Sequence, residues 1–310
     1  MKISVVIATR NRKDDVCFTI SNFLKQIYDD FEIIVIDNNS TDGTGEAIKV
    51  NFPNIIYHYL PDNIDILAQN IGVTVSTGDI IWRTDSDSYP ADENTFFLVN
   101  KIFSENTDVD IIASEEVYPK ANFRIRDYYP LPHDKANVPH NGYKSYTLTG
   151  PGSAIRKSVF NKIGGFWQFG HEELDFCTRA ILAGFNVRYF PNIITHHFSS
   201  SYDRPKIERW IKLTSQLIRY TWKYFPLHLA LGRTVVIFLS QLLMSFSVTL
   251  NPLYHIEALS TNLSTIFRTI RTERKPVPID KVYEITLGTS ILKSEAKMFA
   301  NLFKNKFNSK

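Results

Sequence analysis

The chain has 310 residues, of which 44% are hydrophobic and 22% charged, so it can bury one large core or two modest ones. This composition excludes a largely disordered protein, and the two cysteines, Cys17 and Cys177, provide neither a disulfide framework nor a cysteine metal cluster. The formal charge of +3 is too small to indicate nucleic-acid binding, and the basic excess lies late in the chain. The opening residues, Lys2 to Ile7, predict a strand and not a signal peptide.

The first half of the chain alternates strand and helix patterns. Short apolar runs predict strands over residues 3–8, 31–36, 55–60, 79–82 and 110–114. Apolar residues at helical spacing predict helices over 16–27 and 64–75. This alternation is typical of a parallel sheet with helical crossovers, because parallel strands are buried on both faces. We therefore expect an α/β fold whose ligands bind at the carboxyl ends of the strands.

The second half of the chain has a looser pattern. Tyrosine, proline, asparagine and histidine crowd residues 128–146, which predicts a long surface loop. Order returns with residues 150–169, a helix over 173–183 and a strand over 187–190. Beyond residue 203, aromatic and basic residues interleave, so we expect one domain over 1–202 and a helical C-terminal region over 203–310.

Two carboxylates separated by one residue, Asp85 and Asp87, follow the fourth predicted strand. In a tight turn both can approach one hard cation, whose other ligands are phosphate oxygens and water. A second pair, Asp108 and Asp110, lies at the amino end of the fifth predicted strand, where a solvated turn is the default. We therefore predict a metal site at the first pair and none at the second.

Polar turns follow the first two predicted strands, over residues 9–12 and 37–40, at the same edge of the sheet as Asp85. Short polar side chains there can read a base and a ribose, and Arg10, Arg12 or Lys13 can meet phosphate. The same side chains can equally cap the helices that follow. The sequence has no glycine-rich phosphate loop of either common type, which argues against a dinucleotide oxidoreductase and a P-loop NTPase.

Three acidic residues, Glu172, Glu173 and Asp175, mark the start of the helix predicted over 173–183. The helix dipole favours acidic groups at this end, so the cluster can be purely structural. A carboxylate there can also take a proton from a sugar hydroxyl as a general base. Both interpretations stay open from the spacing alone.

A histidine pair, His196 and His197, follows the last predicted strand and a turn expected at Pro191. The pair can be structural, or one imidazole can complete the cation site that Asp85 and Asp87 begin. The sequence does not distinguish which of the two histidines would bind.

In this order, these motifs resemble the family 2 glycosyltransferases, which have the GT-A fold. The resemblance covers about residues 3–201 and rests on the turn at 9–12, the turn at 36–42, the stretch 63–79, Asp85 to Asp87, the segment 156–166, Glu172 to Asp175, and His196. It implies a Rossmann-like, mainly parallel sheet flanked by helices, with a helical C-terminal extension. It also implies a nucleotide-sugar half over about 1–114 and an acceptor half over about 115–202.

The resemblance implies a role for each matching position. Thr9, Asp37 and Asn38 would contact the nucleoside, and Asp85 would contact the ribose or the diphosphate. Beyond these positions, we also expect Arg10, Asn11, Arg12 and Asn70 to bind the donor. Asp87 would be the direct ligand of Mn²⁺ or Mg²⁺, joined by Asp85 and by His196 or His197. The family often has Glu-Asp where this chain has Glu172 and Glu173, and of these two we favour Glu173 as the catalytic base. Asn38 and the segment 63–65 depart from the usual pattern, so the donor sugar is not implied.

The implied reaction is the inverting, metal-dependent transfer of a sugar from a nucleoside diphosphate to a hydroxyl of a glycan or lipid-linked acceptor, as in bacterial polysaccharide synthesis. One alternative is a non-catalytic glycan-binding scaffold, against which the intact Asp85, Asp87 and Glu173 argue. Another is a nucleotidyltransferase, which would be expected to carry a glycine in the turn after the first strand, where Ala8–Asn11 has none.

Two segments of the C-terminal region suit a membrane surface. Residues 234–254 carry no charge and could span a bilayer, but serines and Pro252 interrupt them, so we favour an interfacial or packed helix. Residues 291–310 predict a basic amphipathic helix, suited to an anionic membrane or to docking on its own domain or on a homo-oligomer partner. We therefore expect a cytoplasmic protein, peripheral on the inner membrane, with no nucleic-acid partner.

Overall fold

The structure, a computed structural model, describes residues 1–119, 134–198, 206–248 and 252–287. The chain divides into two compact units. One unit comprises Met1–Gln168 and Glu172–Tyr202, and the other comprises Phe169–His171 and Asp203–Lys310. The first unit contains the sheet, and the described part of the second is helical.

Nine strands form one sheet within the described residues, in the order β3-β2-β1-β4-β8-β6-β9-β5, with β7 beside β9. The strands are β1 (Ile3–Thr9), β2 (Phe31–Asn38), β3 (Ile56–Leu60), β4 (Ile80–Asp85), β5 (Ser88–Pro90), β6 (Ile111–Val117), β7 (Tyr143–Lys144), β8 (Ser153–Arg156) and β9 (Val187–His197). Strands β1 to β4 are parallel to one another, and β6 is parallel to β9. Strand β8 runs antiparallel between β4 and β6, and β5 and β7 run antiparallel to β9.

Helices cover both faces of this sheet. Those of the first unit are α1 (Lys13–Phe23), α2 (Thr44–Asn51), α3 (Leu67–Val75), α4 (Thr95–Glu105), α5 (Lys157–Ile163) and α6 (Glu172–Leu182). Alternation along β1 places Val5 and Ile7 in one apolar cluster with Trp82, and Val6 in a second cluster with Ile81. Burial on both faces explains why the parallel strands read as continuous apolar runs and not as an alternating pattern.

The five strands predicted in the first half are confirmed, with ends that differ by at most three residues. The helix predicted over 16–27 ends at Phe23, and the helix predicted over 64–75 begins at Leu67. Within the loop predicted over 128–146, the structure contains the short strand β7, while residues 128–133 lie outside the described part of the chain. Helices α4 and α5 and strands β5 and β8 were not predicted.

Strand β9 differs most from the expectation, because it continues to His197 instead of ending at Phe190. The turn predicted at Pro191 is therefore wrong. The pairing of β9 with β6 shifts register at this point, since Ser114 faces Phe190 but Glu115 faces Ile194. The bulge accommodates a proline, which cannot donate a ladder hydrogen bond, and the strand resumes beyond it.

Four helices make up the described part of the second unit: α7 (Lys206–Tyr224), α8 (Leu227–Val248), α9 (Pro252–Thr272) and α10 (Ile279–Glu284). Helix α7 packs on both α8 and α9, and Ile211 of α7 forms a buried apolar cluster with Tyr254 and Ala258 of α9. An ion pair between Arg219 and Glu273 adds to this contact.

The uncharged run predicted over 234–254 is divided between two helices, because α8 ends at Val248 and α9 begins at Pro252. Proline favours the first position of a helix, where its missing N–H has no partner to lose. In the part of the chain that the structure describes, no helix is long and apolar enough to cross a membrane. The amphipathic helix predicted over 291–310 lies outside the described residues.

Candidate active site

The carboxyl ends of β1, β2 and β4 meet at one edge of the sheet. The register pairs Thr9 with Asp37, and Ala8 with Asp85, so three separate segments of the sequence converge there. Asp37 and Asn38 are the last two residues of β2, whereas the sequence predicted that they lie in the polar turn after it. The edge expected to bind a ligand is therefore lined by polar side chains.

The turn from β4 to β5 sets the positions of the two spaced carboxylates. The Asp85 backbone N–H donates to Ser88 Oγ at 3.1 Å, and Thr19 Oγ1 donates to the Ser86 carbonyl at 2.9 Å. Asp85 stays partly exposed at the end of β4, whereas Asp87 is buried. The turn thus presents one carboxylate to solvent and the other to the protein.

His197 lies beside both carboxylates. Strand β5 pairs with the end of β9, which sets Ser88 opposite His197 and brings the imidazole Nε2 to 3.3 Å from Asp87 Oδ1. One ligand atom from each of Asp85, Asp87 and His197 lies within 4.8 Å of the others. These three residues form the one group suited to a metal ion among the described residues.

His196 does not belong to this group. Successive strand residues point to opposite faces, so His196 turns away from Asp87 and its ring packs edge-on against Tyr89, with 5.7 Å between ring centroids. Burial lowers the pKa of His196. Of the two histidines that the sequence left open, the geometry favours His197 as the ligand.

Arg12 and Glu116 complete the surroundings of this group. Arg12 Nη1 donates to Asp87 Oδ2 at 2.7 Å, and Glu116 Oε1 lies 2.7 Å from His197 Nδ1. Burial raises the pKa of Asp87, but the hydrogen bond from His197 and the charge of Arg12 outweigh it and lower the pKa to about 2. Burial lowers the pKa of His197, but its bonds to Asp87 and Glu116 outweigh it and raise the pKa to about 10.

The donor set of Asp85, Asp87 and His197 fits a divalent cation. Carboxylate oxygens suit Mg²⁺ and Mn²⁺, and an imidazole is accepted by Mn²⁺ and later transition metals. Glu116 would hold the His197 ring by its second nitrogen, an arrangement common around metal-binding histidines. Loss of the His197 proton is a precondition for binding, since only the neutral ring can donate a lone pair.

Arg83, which the sequence analysis missed, connects this group to the acidic start of α6. Its guanidinium is buried, and Nη1 lies 3.2 Å from Glu173 Oε1. Nη2 lies 3.8 Å from Glu172 Oε1 and 4.0 Å from Asp85 Oδ1. Burial lowers the pKa of Arg83, but the three neighbouring carboxylates outweigh this effect, and the pKa is raised above its ordinary value. A charged residue inside the apolar run of β4 was the available signal.

The two adjacent glutamates of α6 differ in their access to solvent. The side chain of Glu172 is 6% exposed, whereas that of Glu173 is 24% exposed. Arg179 anchors the helix by bonds to the carbonyls of Ile163 and Gly165, and it also bonds to Asp175 one turn earlier in α6 at 2.8 Å. Only Glu173 of the pair is open to an incoming molecule.

The side chains expected to contact a nucleotide are partly used within the protein. Asp37 accepts bonds from the Tyr57 hydroxyl at 2.7 Å and from the Ser40 N–H at 2.8 Å. Asn38 bonds to the backbone of Ile64 and Asp65. These contacts leave Asp37 able to accept further bonds, because each carboxylate oxygen has more than one lone pair.

The first polar turn begins with a buried hydroxyl beside Asp37, that of Thr9. Thr9 Oγ1 is buried without a hydrogen-bond partner in the described residues, and Arg10 is exposed. Asn11 has a left-handed backbone, with φ of 50°, and its Oδ1 accepts from the Thr41 N–H at 2.8 Å. A buried hydroxyl without a partner at a sheet edge is suited to a bound polar ligand.

Asn70, unlike the residues at the strand ends, bonds to the backbone of Phe166. Its side-chain amide donates to the Phe166 carbonyl at 2.9 Å and accepts from the Phe166 N–H at 2.7 Å. This two-point contact ties α3 to the turn before α6. The donor contact expected of Asn70 from the sequence stays a prediction, beside this observed structural role.

Residues 4–164 match the protein family described as Glycosyl transferase family 2. The chain is 25% identical to YdaM of Bacillus subtilis, named as a probable glycosyltransferase, over 63% of this chain and 50% of YdaM. It is 29% identical to the Escherichia coli protein WfaP, a UDP-Glc:α-D-GlcNAc-diphosphoundecaprenol β-1,3-glucosyltransferase, over 42% of this chain and 51% of WfaP. The chain thus spans about half the length of these two relatives.

Two solved structures share the fold. TarS 1–349 of S. aureus, in complex with UDP-GlcNAc, has a TM-score of 0.61 at 17% identity, over 87% of this chain and 83% of TarS. The mannosyltransferase PcManGT of Pyrobaculum calidifontis, in complex with GDP-Man and Mn²⁺, has a TM-score of 0.54 at 15% identity. That similarity covers 100% of this chain and 88% of PcManGT.

Proposed function

This chain belongs to glycosyl transferase family 2, and from that membership we propose that it transfers a sugar from a nucleoside diphosphate to an acceptor hydroxyl with inversion at the anomeric carbon. Its similarity to the two solved structures, at TM-scores of 0.54 and 0.61, confirms the GT-A fold. The observation that carries the proposal is the joining of a candidate cation site to a solvent-accessible carboxylate through Arg83, at the carboxyl edge of the sheet.

The donor would lie across the ends of β1, β2 and β4. Thr9 and Asp37 offer the base and ribose a hydroxyl and a carboxylate, and Arg10 and Arg12 offer the diphosphate positive charge. The structures of PcManGT and TarS are complexes with GDP-Man and UDP-GlcNAc, which supports a nucleotide-sugar donor without selecting one.

Asp87, Asp85 and His197 would hold a divalent cation, Mn²⁺ or Mg²⁺. Such a cation supplies positive charge to the departing diphosphate. Arg12 already contributes positive charge at Asp87 from the protein side. Glu116 keeps the His197 ring oriented, so that the ring does not need to reorganise when its proton is lost.

Glu173 would act as the general base. The acceptor oxygen forms its bond to the anomeric carbon while the bond from that carbon to the diphosphate oxygen breaks, and Glu173 receives the acceptor proton. Its partial exposure supports this role over that of the buried Glu172. Arg83 lies beside both glutamates, at 3.2 Å from Glu173 Oε1, and its positive charge offsets their negative charge.

The acceptor would be a glycan or a lipid-linked sugar. WfaP is named for a diphosphoundecaprenol-linked acceptor, which supports the lipid-linked case. In the second unit, α8 exposes one apolar stripe, formed by Leu227, Leu231, Val235, Leu239 and Leu242. An exposed apolar stripe of this kind would bind a membrane surface or a second copy of the chain. We favour an anionic membrane surface, to which the chain would bind as a peripheral protein on the cytoplasmic face.

One experiment separates this function from its alternatives. The protein is screened by thermal shift against UDP-, GDP- and dTDP-sugars with Mn²⁺, and the stabilising donor is then incubated with acceptor. Release of the free nucleoside diphosphate with sugar transfer supports the proposal. Pyrophosphate release supports a nucleotidyltransferase instead, and stabilisation without turnover supports a non-catalytic scaffold.

A further inference from the structure

The guanidinium of Arg83 is the central charged group among three carboxylates. Its Nη1 atom is 3.2 Å from the Glu173 carboxylate, and its Nη2 atom is 3.8 Å from that of Glu172 and 4.0 Å from that of Asp85. A planar fork can meet carboxylates in two directions at once, which a lysine ammonium cannot do with fixed geometry. Asp85 and Glu173 are 88 residues apart in the sequence, and Arg83 is the group that touches both.

Phe166 and Gly150 lie directly against the guanidinium of Arg83. The Phe166 ring lies 5.4 Å from the guanidinium carbon, and Asn70 bonds to both backbone groups of Phe166. Gly150 leaves the necessary space, because a Cβ at this position would lie 2.5 Å from Arg83 Nη1 and 2.9 Å from Glu173 Oε1. A side chain at residue 150 would therefore press on the ion pair itself.

We propose that Arg83 is a positioning residue that fixes the Glu173 carboxylate for proton transfer and keeps it in register with Asp85 on the donor side. This inference rests on the proposed role of Glu173 as the base. A base displaced by about 1 Å can cost on the order of 10²-fold in rate, even though every reacting group is still present. Arg83 would therefore affect the chemical step more than donor binding.

The first test replaces the guanidinium. In Arg83→Lys the charge is kept but the fork is lost, and in Arg83→Met both are lost. We expect Arg83→Lys to lower kcat by about 10-fold and Arg83→Met by about 10²-fold or more, while the KM for the donor changes less than about 3-fold. A merely structural role would change kcat and KM together, or would give no difference between the two variants.

The second test leaves every charged group in place. Gly150→Ala adds one methyl group against Arg83 and Glu173, whereas Gly232→Ala in α8 adds the same group where no atom lies within 4 Å. Gly150 has no left-handed backbone, so alanine is compatible with its conformation. We expect Gly150→Ala to lower kcat by about 10-fold with little change in donor KM, and Gly232→Ala to leave both unchanged.

These variants are compared with Glu173→Gln in the full-length protein. If Glu173→Gln is impaired but both Gly150→Ala and Arg83→Lys retain normal kcat, the positioning role is overturned and the proposed base survives. If Glu173→Gln keeps full activity, the proposed base itself fails. If Arg83→Met does not fold, the Gly150→Ala result decides the inference, since normal kcat there overturns it.

Discussion

Asp85 and Asp87 are two similar side chains to which the fold gives different surroundings. Asp85 is partly exposed and faces Arg83, whereas Asp87 is buried between Arg12 and His197. A buried carboxylate held by two donors has little freedom to reorient, which suits a direct metal ligand. The exposed carboxylate is better placed to meet the sugar-nucleotide as well.

We expect Asp87→Ala to abolish transfer and to remove the metal-dependent part of nucleotide affinity, because the variant loses the buried oxygen ligand. Calorimetry with a nucleoside diphosphate, with and without Mn²⁺, measures this. Asp108→Ala is the matched control, since Asp108 belongs to the second Asp-x-Asp pair, at the amino end of β6. Equal metal-dependent affinity in Asp87→Ala and the control would contradict the assignment.

We expect Glu173→Gln to lower kcat by about 10²- to 10⁴-fold, the usual effect of a lost general base, with donor affinity nearly unchanged. Glu172→Gln is the matched variant, one residue away and also beside Arg83. Its effect should be smaller, because its carboxylate is buried. A larger loss in Glu172→Gln than in Glu173→Gln, measured by steady-state kinetics, would reverse the two roles.

Metal binding should release a proton from His197. Its pKa of about 10 lies above its ordinary value, so the imidazolium stabilises the metal-free fold at neutral pH and this contribution is lost as the pH rises through 10. At pH 7.5 a bound cation must displace the proton, so we expect about one proton released per ion and affinity that rises with pH. Calorimetry in buffers of different ionisation enthalpy measures this, and His197→Asn should release none.

Spacing and position in the sequence identified several site residues but not their partners. Asp85 and Asp87 were recognisable because two carboxylates follow an apolar run, which is a local pattern. Arg83 and Glu116 were not, because their function depends on α6 and β9, which are distant in sequence. The exposure that separates Glu172 from Glu173 is likewise set by packing against other segments.

At the scale of elements, the turn between α5 and α6 holds the start of α6 in place. Asn70 on α3 bonds to both backbone groups of Phe166, and Arg179 on α6 bonds to the carbonyls of Ile163 and Gly165. Side chains from two helices thus bond to the backbone of Ile163, Gly165 and Phe166. The position of Glu173 depends on this turn, because α6 begins six residues after Phe166.

We expect Asn70→Ala to lower the free energy of unfolding by about 1–3 kcal/mol, because two backbone groups of a buried residue lose their partner. Chemical denaturation measures this change. Donor affinity in the variant then distinguishes the two roles of Asn70. Unchanged affinity favours the structural role, whereas a large loss of affinity in a stable variant supports the donor contact expected from the sequence.

Elements with strong local patterns were predictable, and those that depend on pairing were not. The parallel strands β1 to β4 were predicted from their apolar runs. The three-residue β5 has no such pattern and exists because it pairs with β9. Strand β9 passes through Pro191 by a bulge, which a rule based on proline as a strand breaker cannot anticipate.

At the scale of the whole molecule, charge is distributed unevenly along the chain. Residues 1–202 carry 18 Lys and Arg against 25 Asp and Glu, whereas residues 203–310 carry 17 against 7. The C-terminal part is therefore strongly basic and the N-terminal part is acidic. An anionic surface would attract the first and repel the second, which would orient the protein as well as bind it.

We expect the protein to float with anionic liposomes at low salt and to be released at high salt. Replacing Leu231 and Leu239 together by glutamine should reduce flotation, because both are more than half exposed on the stripe of α8. Phe97→Gln, at an exposed site on α4, is the control. If the intact protein does not float but self-associates through Leu231 and Leu239, the stripe is an interface between copies.

The pairing of β5 with β9 has a consequence for biosynthesis. Asp87 leaves the ribosome 110 residues before His197, which at translation rates of about 5–20 residues per second is roughly 5 to 20 seconds. Throughout that interval the nascent chain has both carboxylates of the cation group but not the imidazole. Metal-dependent nucleotide capture should therefore be absent from ribosome-bound chains arrested at residue 150 and present once residue 197 has cleared the exit tunnel. Measuring labelled nucleotide retained by arrested chains of both lengths tests whether the site is completed only by the last strand.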